Sequence, residues 1–548
     1  MIGLFIFVGL LLLVFIGPIN QTEQRSYQEV TQQNVSPGRN LLKLPKQLKK
    51  NTKQIAVGAS FSIGVSKQNE LYLWGKYPKA VAKISKDLKG VKKISAGQDH
   101  VLIEDETGTL YAFGANRFGQ IEVPKKLKKY RGYQQVYAGY QYSIAITKEG
   151  EVFFWGNHNL VDVRDEIEEK IRKVAGNTST VLGLTTKGTV ISLGTQESSF
   201  SRIPQFKAPI VDLAVTATNA YAVDEKGNLY QWGNYFDSKI ESVTLDANEQ
   251  IKELYAGRYY IVLKTNKGRL LFYEQPSGVR FNLSKRLQGV KANKVYSGLF
   301  QFYVENEQGE VSGYGHKGYL LGSDAYGRDV FARLLRGGRL TMTIGFIAVF
   351  IETIIGMILG LIAGFYGGKI DNMLMRVTEI VNALPFLPLA MILSALIGNH
   401  LSEIQRIYMI MVVLGVLGWP GMARLVRAQI LAEKEKEYVI AARAIGLRES
   451  KIMIRHLLPN ILSFVIVSVT GSFASSMLTE SSLSFLGFGV MEPSPTWGNM
   501  LTSAKSMVVI RAYWWRWVFP AFALSLATIS INLIGDGLRK AFVQEEKE

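Results

Sequence analysis

Residues able to do chemistry are sparse in this 548-residue chain, and their spacing excludes most covalent reactions. There is no cysteine, so a disulfide framework, a thiolate zinc site and a cysteine nucleophile are all excluded. His100, His158, His316 and His400 show no ligand spacing, and no catalytic triad, paired-carboxylate site or metal box is visible. Gly367-Gly368-Lys369 is followed by Ile370, which breaks the pattern of a phosphate-binding loop. Two other sets of residues stand out. Glu352, Asn382 and Glu480 lie inside apolar runs, where polar groups either line a path or pair with neighbours. Arg376 and Glu379, three apart, can pair on one helix face. The second set is the basic island Glu437–Asn460, EYVIAARAIGLRESKIMIRHLLPN, between two long apolar spans. Its start favours helix, with small Ala441 and Ala442 permitting close approach and Gly446 allowing a bend or stop. Leu458-Pro459-Asn460 reads as a helix stop that separates this island from the next span. Arg443, Arg448 and Arg455 either flank a membrane span or reach acidic groups on a partner.

The elements that must position these residues are of two kinds, and the length asks for at least two domains. A net charge of +18 suits nucleic acid or anionic lipid. The basic residues are spread over both halves without an Arg/aromatic stripe, so a membrane is expected and nucleic acid is not. Ile2–Ile19 is an uncharged apolar run just long enough to span a bilayer. It lacks a basic lead and an Ala-x-Ala cleavage pattern, and reads as an uncleaved first span over residues 1–19. Residues 20–51 read as a polar linker.

A repeat of about 40 residues follows. GASFSIGVSKQNELYLWG (Gly58–Gly75) recurs as AGQDHVLIEDETGTLYAFG, AGYQYSIAITKEGEVFFWG and four later copies, ending with Ser297–Gly315. Each copy has two alternating apolar runs joined by a polar-Gly turn such as Glu149-Gly150 or Lys226-Gly227, which predicts antiparallel strands. One unit cannot bury its own apolar face, so the copies must stack, and radial closure removes exposed edges. The copies resemble the RCC1 repeat family, which implies an all-β seven-bladed propeller over residues 52–316. Thr216 departs from that pattern, standing where the repeat wants Gly. Trp74, Trp155 and Trp232 recur at one position and are expected to pack between blades.

After Gly315 come a connecting segment (317–339) and apolar spans near Leu340–Tyr366, Met373–Ile397, Ile407–Ile430, Ile461–Phe485 and Trp517–Ile534, within residues 340–548. The island, with its flanks at 432–460, resembles the EAA loop of binding-protein-dependent ABC importer permeases. Gly322-Ser323-Asp324 with Gly327-Arg328-Asp329, the run Asp371–Ala390, Ser481–Leu501 and Asn532–Phe542 resemble further segments of the peptide and nickel branch. Ile440 stands where a Glu is common, Glu379 where an Asp is usual, and His456 takes an aliphatic position. Family members usually carry a basic lead before their first span, whereas this chain begins almost on the apolar run.

The resemblance implies a type I importer fold of six transmembrane helices, with the propeller inserted between spans 1 and 2. It implies a coupling role for Glu437, Ala441, Ala442, Arg443, Gly446, His456, Leu458, Pro459 and Asn460. It also implies a second permease subunit, two ATPase subunits carrying ATP and Mg, and an extracytoplasmic substrate-binding protein. This chain then binds no cofactor and is not itself an enzyme. ATP is cytoplasmic, so counting spans from the loop puts both termini inside the plasma membrane and the propeller outside. Arg328, Arg333, Arg336 and Arg339 on that outer side run against the positive-inside rule. Peptide is the implied substrate. Nickel, or a receptor with a non-transporting permease half, is the alternative.

Overall fold

The computed structural model describes residues 2–17, 28–29, 32–38, 40–84, 88, 90–158, 167–194, 198–233, 243–275, 283–398 and 401–545. His400, residues 18–19 of the first apolar run and much of 20–31 lie outside the described residues. The chain forms two compact units: Glu29–Leu320 with Ala325–Gly327, and Met1–Gln28 with Leu321–Asp324 and Arg328–Glu548.

Among the described residues the first of these holds seven three-stranded antiparallel sheets. The two alternating runs of each repeat are the second and third strands, as in Phe61–Ser66 and Leu71–Gly75. The first strand was not legible from the repeat and precedes it, as in Thr52–Val57 and Ile210–Val215. Six of the seven first strands slip register after their opening residue, for example between Thr52 and Gln54. That bulge interrupts the alternation by which a strand is recognised in sequence. Second strands are buried almost throughout, because neighbouring sheets cover both of their faces. Hairpin glycines such as Gly150 (φ 88°) and Gly227 (φ 84°) supply the left-handed turn residue.

Trp74, Trp155 and Trp232 are buried and join adjacent sheets. The indole nitrogen of Trp155 donates to Gln120 O (3.0 Å) and that of Trp232 to Phe200 O (2.9 Å). Trp74 Nε1 donates to Tyr303 Oη (2.6 Å), which joins the first sheet to the last. A Cβ on Gly298 of the last sheet would stand 2.3 Å from Val57 Cγ1 of the first, so the seven sheets close into a ring. Part of the expected linker belongs to this unit: Val35, Leu41 and Leu48 are fully buried in it.

The second unit is helical: α1 (Ile2–Ile16), α2 (Val330–Tyr366), α3 (Gly368–Ala383), α4 (Phe386–Gly398), α5 (Glu403–Gly418), α6 (Pro420–Glu433), α7 (Glu437–Ala444), α8 (Leu458–Leu486), α9 (Trp497–Leu501) and α10 (Trp515–Glu545). Among the described residues four helices are long and apolar enough to cross a membrane: Val330–Tyr366, Glu403–Glu433, Glu449–Leu486 and Trp515–Phe542. The span expected near Met373–Ile397 is not one straight helix. It bends by 76° between α3 and α4, because Leu384, before Pro385, is held extended. α1 is a shorter apolar helix of 15 residues, packed on α10 where Gly3 leaves no space beside Leu533. Caps fix the ends of several elements. Asp329 accepts from Phe331 N at the start of α2, and Ser402 with Gln405 forms a capping box on α5.

Candidate functional site

The basic island folds into one compact, exposed element. α7 ends in a Schellman turn: Leu447 N donates to Ala442 O (3.2 Å) and Gly446 N to Arg443 O (3.0 Å). Gly446 takes φ 75°, which a side chain resists, so the expected stop at Gly446 is where α7 ends. Val439 and Ala442 are the buried face, packed with Phe365, Val426, Ile430, Ile452 and Leu457. The opposite face is open and apolar. Ile440 is 55% and Ile445 75% exposed, with Glu437, Ala441 and Arg448 exposed beside them.

The Leu-Pro-Asn motif does not stop a helix. Glu449–Leu486 runs on as one helix, with a π turn at Met453–Leu457 immediately before Leu458 and Pro459. Leu458 N reaches back to Met453 O, a wider loop that makes room for a residue without an N–H. Pro459 follows directly, so its missing donor falls where the π turn has already widened the hydrogen-bond pattern. Pro459→Ala is expected to change thermal stability of the purified chain by less than about 0.5 kcal/mol.

Three residues not singled out from sequence hold the element in place. Glu433 of α6 accepts from Tyr438 Oη (2.7 Å) and pairs with Lys436 (2.6 Å). Asn460 Nδ2 in turn donates to Tyr438 Oη (2.8 Å) and to His456 O (3.0 Å). The Arg443 guanidinium lies 5.0 Å from the centre of the Phe365 ring, so this arginine anchors α7 to α2. Arg448 and Arg455 are exposed. Only Tyr438, one residue after Glu437, lay inside the island. Glu433 and Phe365 come together with it through the fold alone.

The polar groups of the apolar runs separate into two kinds. Glu480 is fully buried in a cage of hydroxyls, accepting from Ser484 Oγ (2.7 Å), Thr341 Oγ1 (3.3 Å) and Ser481 Oγ (3.4 Å). Thr341 Oγ1 also accepts from Trp497 N (3.1 Å), so Glu480 helps fix α9 against α2. Glu352 accepts from Ser472 Oγ (2.8 Å) and lies against Gly418, where a Cβ would be 2.8 Å from its oxygen. Asn382 is exposed near the end of α3, and Arg376 and Glu379 form an exposed ion pair (2.8 Å). Elsewhere Asp371 takes both ends of the Arg427 fork at 2.5 Å, fixing the start of α3 to α6.

The motif before α2 builds a buried charge network. Arg328 pairs with Asp324 (2.7 Å) and Glu492 (2.5 Å), and Arg333 with Glu492 (2.8 Å) and Asp324 (3.5 Å).

In the ring unit, Asp99, His100 and Ser143 line up like a triad, with His100 Nε2 2.9 Å from Ser143 Oγ and Nδ1 3.5 Å from Asp99. His100 and Ser143 are fully buried, and Ser143 gives its proton to Gln120 O (2.8 Å). No carbonyl substrate reaches that oxygen. The group is a core network. Among the described residues no cluster of three or more His, Asp or Glu could hold a metal ion.

Residues 356–547 match the model of the binding-protein-dependent transport system inner membrane component, and residues 91–120 match that of the RCC1 repeat. The chain is 40% identical over 230 residues to the oligopeptide transport system permease protein OppC of Escherichia coli, covering 42% of this chain and 74% of that protein. It is 40% identical over 223 residues to the dipeptide transport system permease protein DppC of Bacillus subtilis, covering 41% and 68%. Among solved structures, Prp20p of Saccharomyces cerevisiae aligns with 53% of this chain and 93% of its own, at 16% identity and a TM-score of 0.37. The relation to the permeases runs through the helical unit, and by it this chain belongs to the family of binding-protein-dependent transport system inner membrane components.

Proposed function

We propose that this permease is one of two membrane halves of an ATP-binding-cassette importer for oligopeptides or dipeptides. The observation that carries the proposal is α7: a short, rigidly based helix with an open apolar face of Ile440, Ala441 and Ile445, between two apolar spans. Such a surface suits docking in a socket on an ATPase subunit. Two ATPase subunits carry the ATP and Mg, a second permease completes the path, and a binding protein delivers substrate. ATPase closure pushes α7, and the two halves rock to open the path outward and then inward. Six spans follow if α1 counts as the first and the bent pair α3–α4 as the third. With α7 cytoplasmic, both termini are then inside and the seven sheets form a seven-bladed propeller outside. On that outer side Arg328 and Arg333 are paired with Asp324 and Glu492. The propeller acts as an interaction platform that docks the binding protein or captures substrate. If deleting Asn51–Gly315 changes neither uptake nor binding-protein affinity, that role is lost.

Gly446→Val tests the coupling. A β-branched residue in the left-handed region costs about 1–2 kcal/mol and tilts the Schellman turn. The expected result is co-purification with the ATPases and second permease, with ATP-driven peptide uptake reduced about tenfold or more. A chain that purifies alone and leaves ATP hydrolysis unchanged would remove the importer reading.

A further inference from the structure

The ring unit surrounds a central cavity of about 490 Å³, lined by the first strands of all seven sheets. That volume is in the range of small-molecule sites, roughly 300–1,000 Å³. Its wall combines the amides of Gln54, Gln98 and Gln135 with the rings of Tyr137, Tyr255 and Tyr296. The tyrosine hydroxyls are already used: Tyr137 Oη donates to Gly176 O, Tyr255 Oη to Glu253 and Tyr296 Oη to Glu305. The rings are therefore presented as surfaces. Lys173 is also occupied, by Asp212 (2.5 Å). Gln135 is bonded to Val174 through both its oxygen and its nitrogen, and Gln54 Nε2 to Ile94 O, whereas Gln98 Oε1 is buried with no hydrogen-bond donor among the described residues.

Arg258, in the cavity wall, is paired by a carboxylate of the chain itself. Glu29 is fully buried, and its Oε2 accepts from Arg258 Nε (2.6 Å) and Tyr259 Oη (3.2 Å). Arg258 lines the cavity from the sixth sheet, so the Glu29 carboxylate is held at the cavity wall. Three residues on, Gln32 Nε2 donates to Ala59 O of the first sheet (2.7 Å).

We propose that the cavity is a peptide-binding site whose carboxylate position is held, in the free protein, by Glu29. A short peptide lies along the axis with its α-carboxylate on Arg258 and Tyr259 in place of Glu29. Gln98 meets a backbone amide, and the tyrosine rings meet its side chains. The choice of a peptide rests on the import reading above. The carboxylate anchor rests on the ring unit alone.

The full chain in lipid nanodiscs is titrated calorimetrically with trialanine and with trialanine amide. Glu29→Gln keeps the shape of the side chain and removes the competing charge, so trialanine binds it about tenfold more tightly than wild type, while the amide gains nothing. Glu29→Gln/Arg258→Gln leaves no lone buried charge and loses at least that gain. If this double variant does not fold, Glu29→Gln/Arg258→Lys replaces it, with affinity expected to drop at least about threefold as the planar fork is lost. Absence of trialanine binding by Glu29→Gln, equal binding of the amide, or unchanged affinity in the folded double variant overturns the proposal. Trialanine uptake by the assembled importer is measured alongside. Uptake without cavity binding overturns this site and leaves the import reading intact, whereas cavity binding by an importer that carries no peptide removes the import reading.

Discussion

Substituting Gly360 by leucine is expected to leave no assembled helical unit. α2 carries Gly356, Gly360 and Gly364 at four-residue spacing, on the face that meets α6. A Cβ on Gly356 would stand 2.6 Å from Met422 Cβ, on Gly360 2.5 Å from Ala423 O, and on Gly364 2.8 Å from Ile430 Cβ. α5 approaches α2 in the same way, with Gly415 against Ile351 Cβ (2.6 Å). In lipid, apolar surface gains nothing by leaving the solvent, so helices associate through close van der Waals contact along small residues. One methyl group at Gly360 meets a backbone carbonyl that cannot swing aside, at about 1–3 kcal/mol. Leucine adds three more carbons in the same place and separates α2 from α6. Glu352, Phe365 and the base of α7 then lose their supports together. Size-exclusion yield and thermal unfolding in detergent check this. Gly471→Ala is the control: nothing lies within 4 Å of its Cβ, so the change is neutral or stabilises by up to about 1 kcal/mol. Equal behaviour of the two variants would disprove the seam.

Asp324→Ala is expected to destabilise the helical unit by about 3 kcal/mol, the scale for breaking a buried ion pair. Asp324, Arg328 and Arg333 are all at most 9% exposed. Without Asp324, two buried guanidinium groups share Glu492 alone, whose side chain is 46% exposed. Glu492→Ala is expected to cost less, since water reaches that end of the network. Pairing Asp324→Ala with Arg328→Met removes charge of both signs and recovers part of the loss. The unfolding midpoints of wild type, Asp324→Ala, Arg328→Met and the pair form a double-mutant cycle, and additive effects would show that the pair is not coupled.

Much of this molecule was legible in its residues, and the limits have physical causes. Second and third strands carry uninterrupted alternation, so the repeats announced themselves. The first strands carry a bulge that breaks their period, and they were missed although they line the cavity. α7 and its Gly446 stop follow from local preference, because a Schellman turn needs only neighbouring residues. Pro459 was misread for the same reason. A proline interrupts an isolated helix, but a π turn ahead of it lets the helix continue. The network at Asp324 was invisible because its partner Glu492 lies 164 residues beyond Arg328. Glu352 and Glu480 were correctly seen as unusual. Whether they face a path or a neighbour depended on where Ser472, Ser484 and Thr341 fall, which spacing does not tell.

The two ends of the ring unit meet. Glu29 N donates to Tyr326 O (2.7 Å), and Gly327 is packed so closely on Glu29 O that a side chain there would collide with it. A module whose first and last residues coincide asks its host only for a gap the width of one hydrogen bond. Such a module can be acquired or discarded between generations without moving a helix of the host, since joining residue 28 to residue 328 closes a loop of negligible entropy.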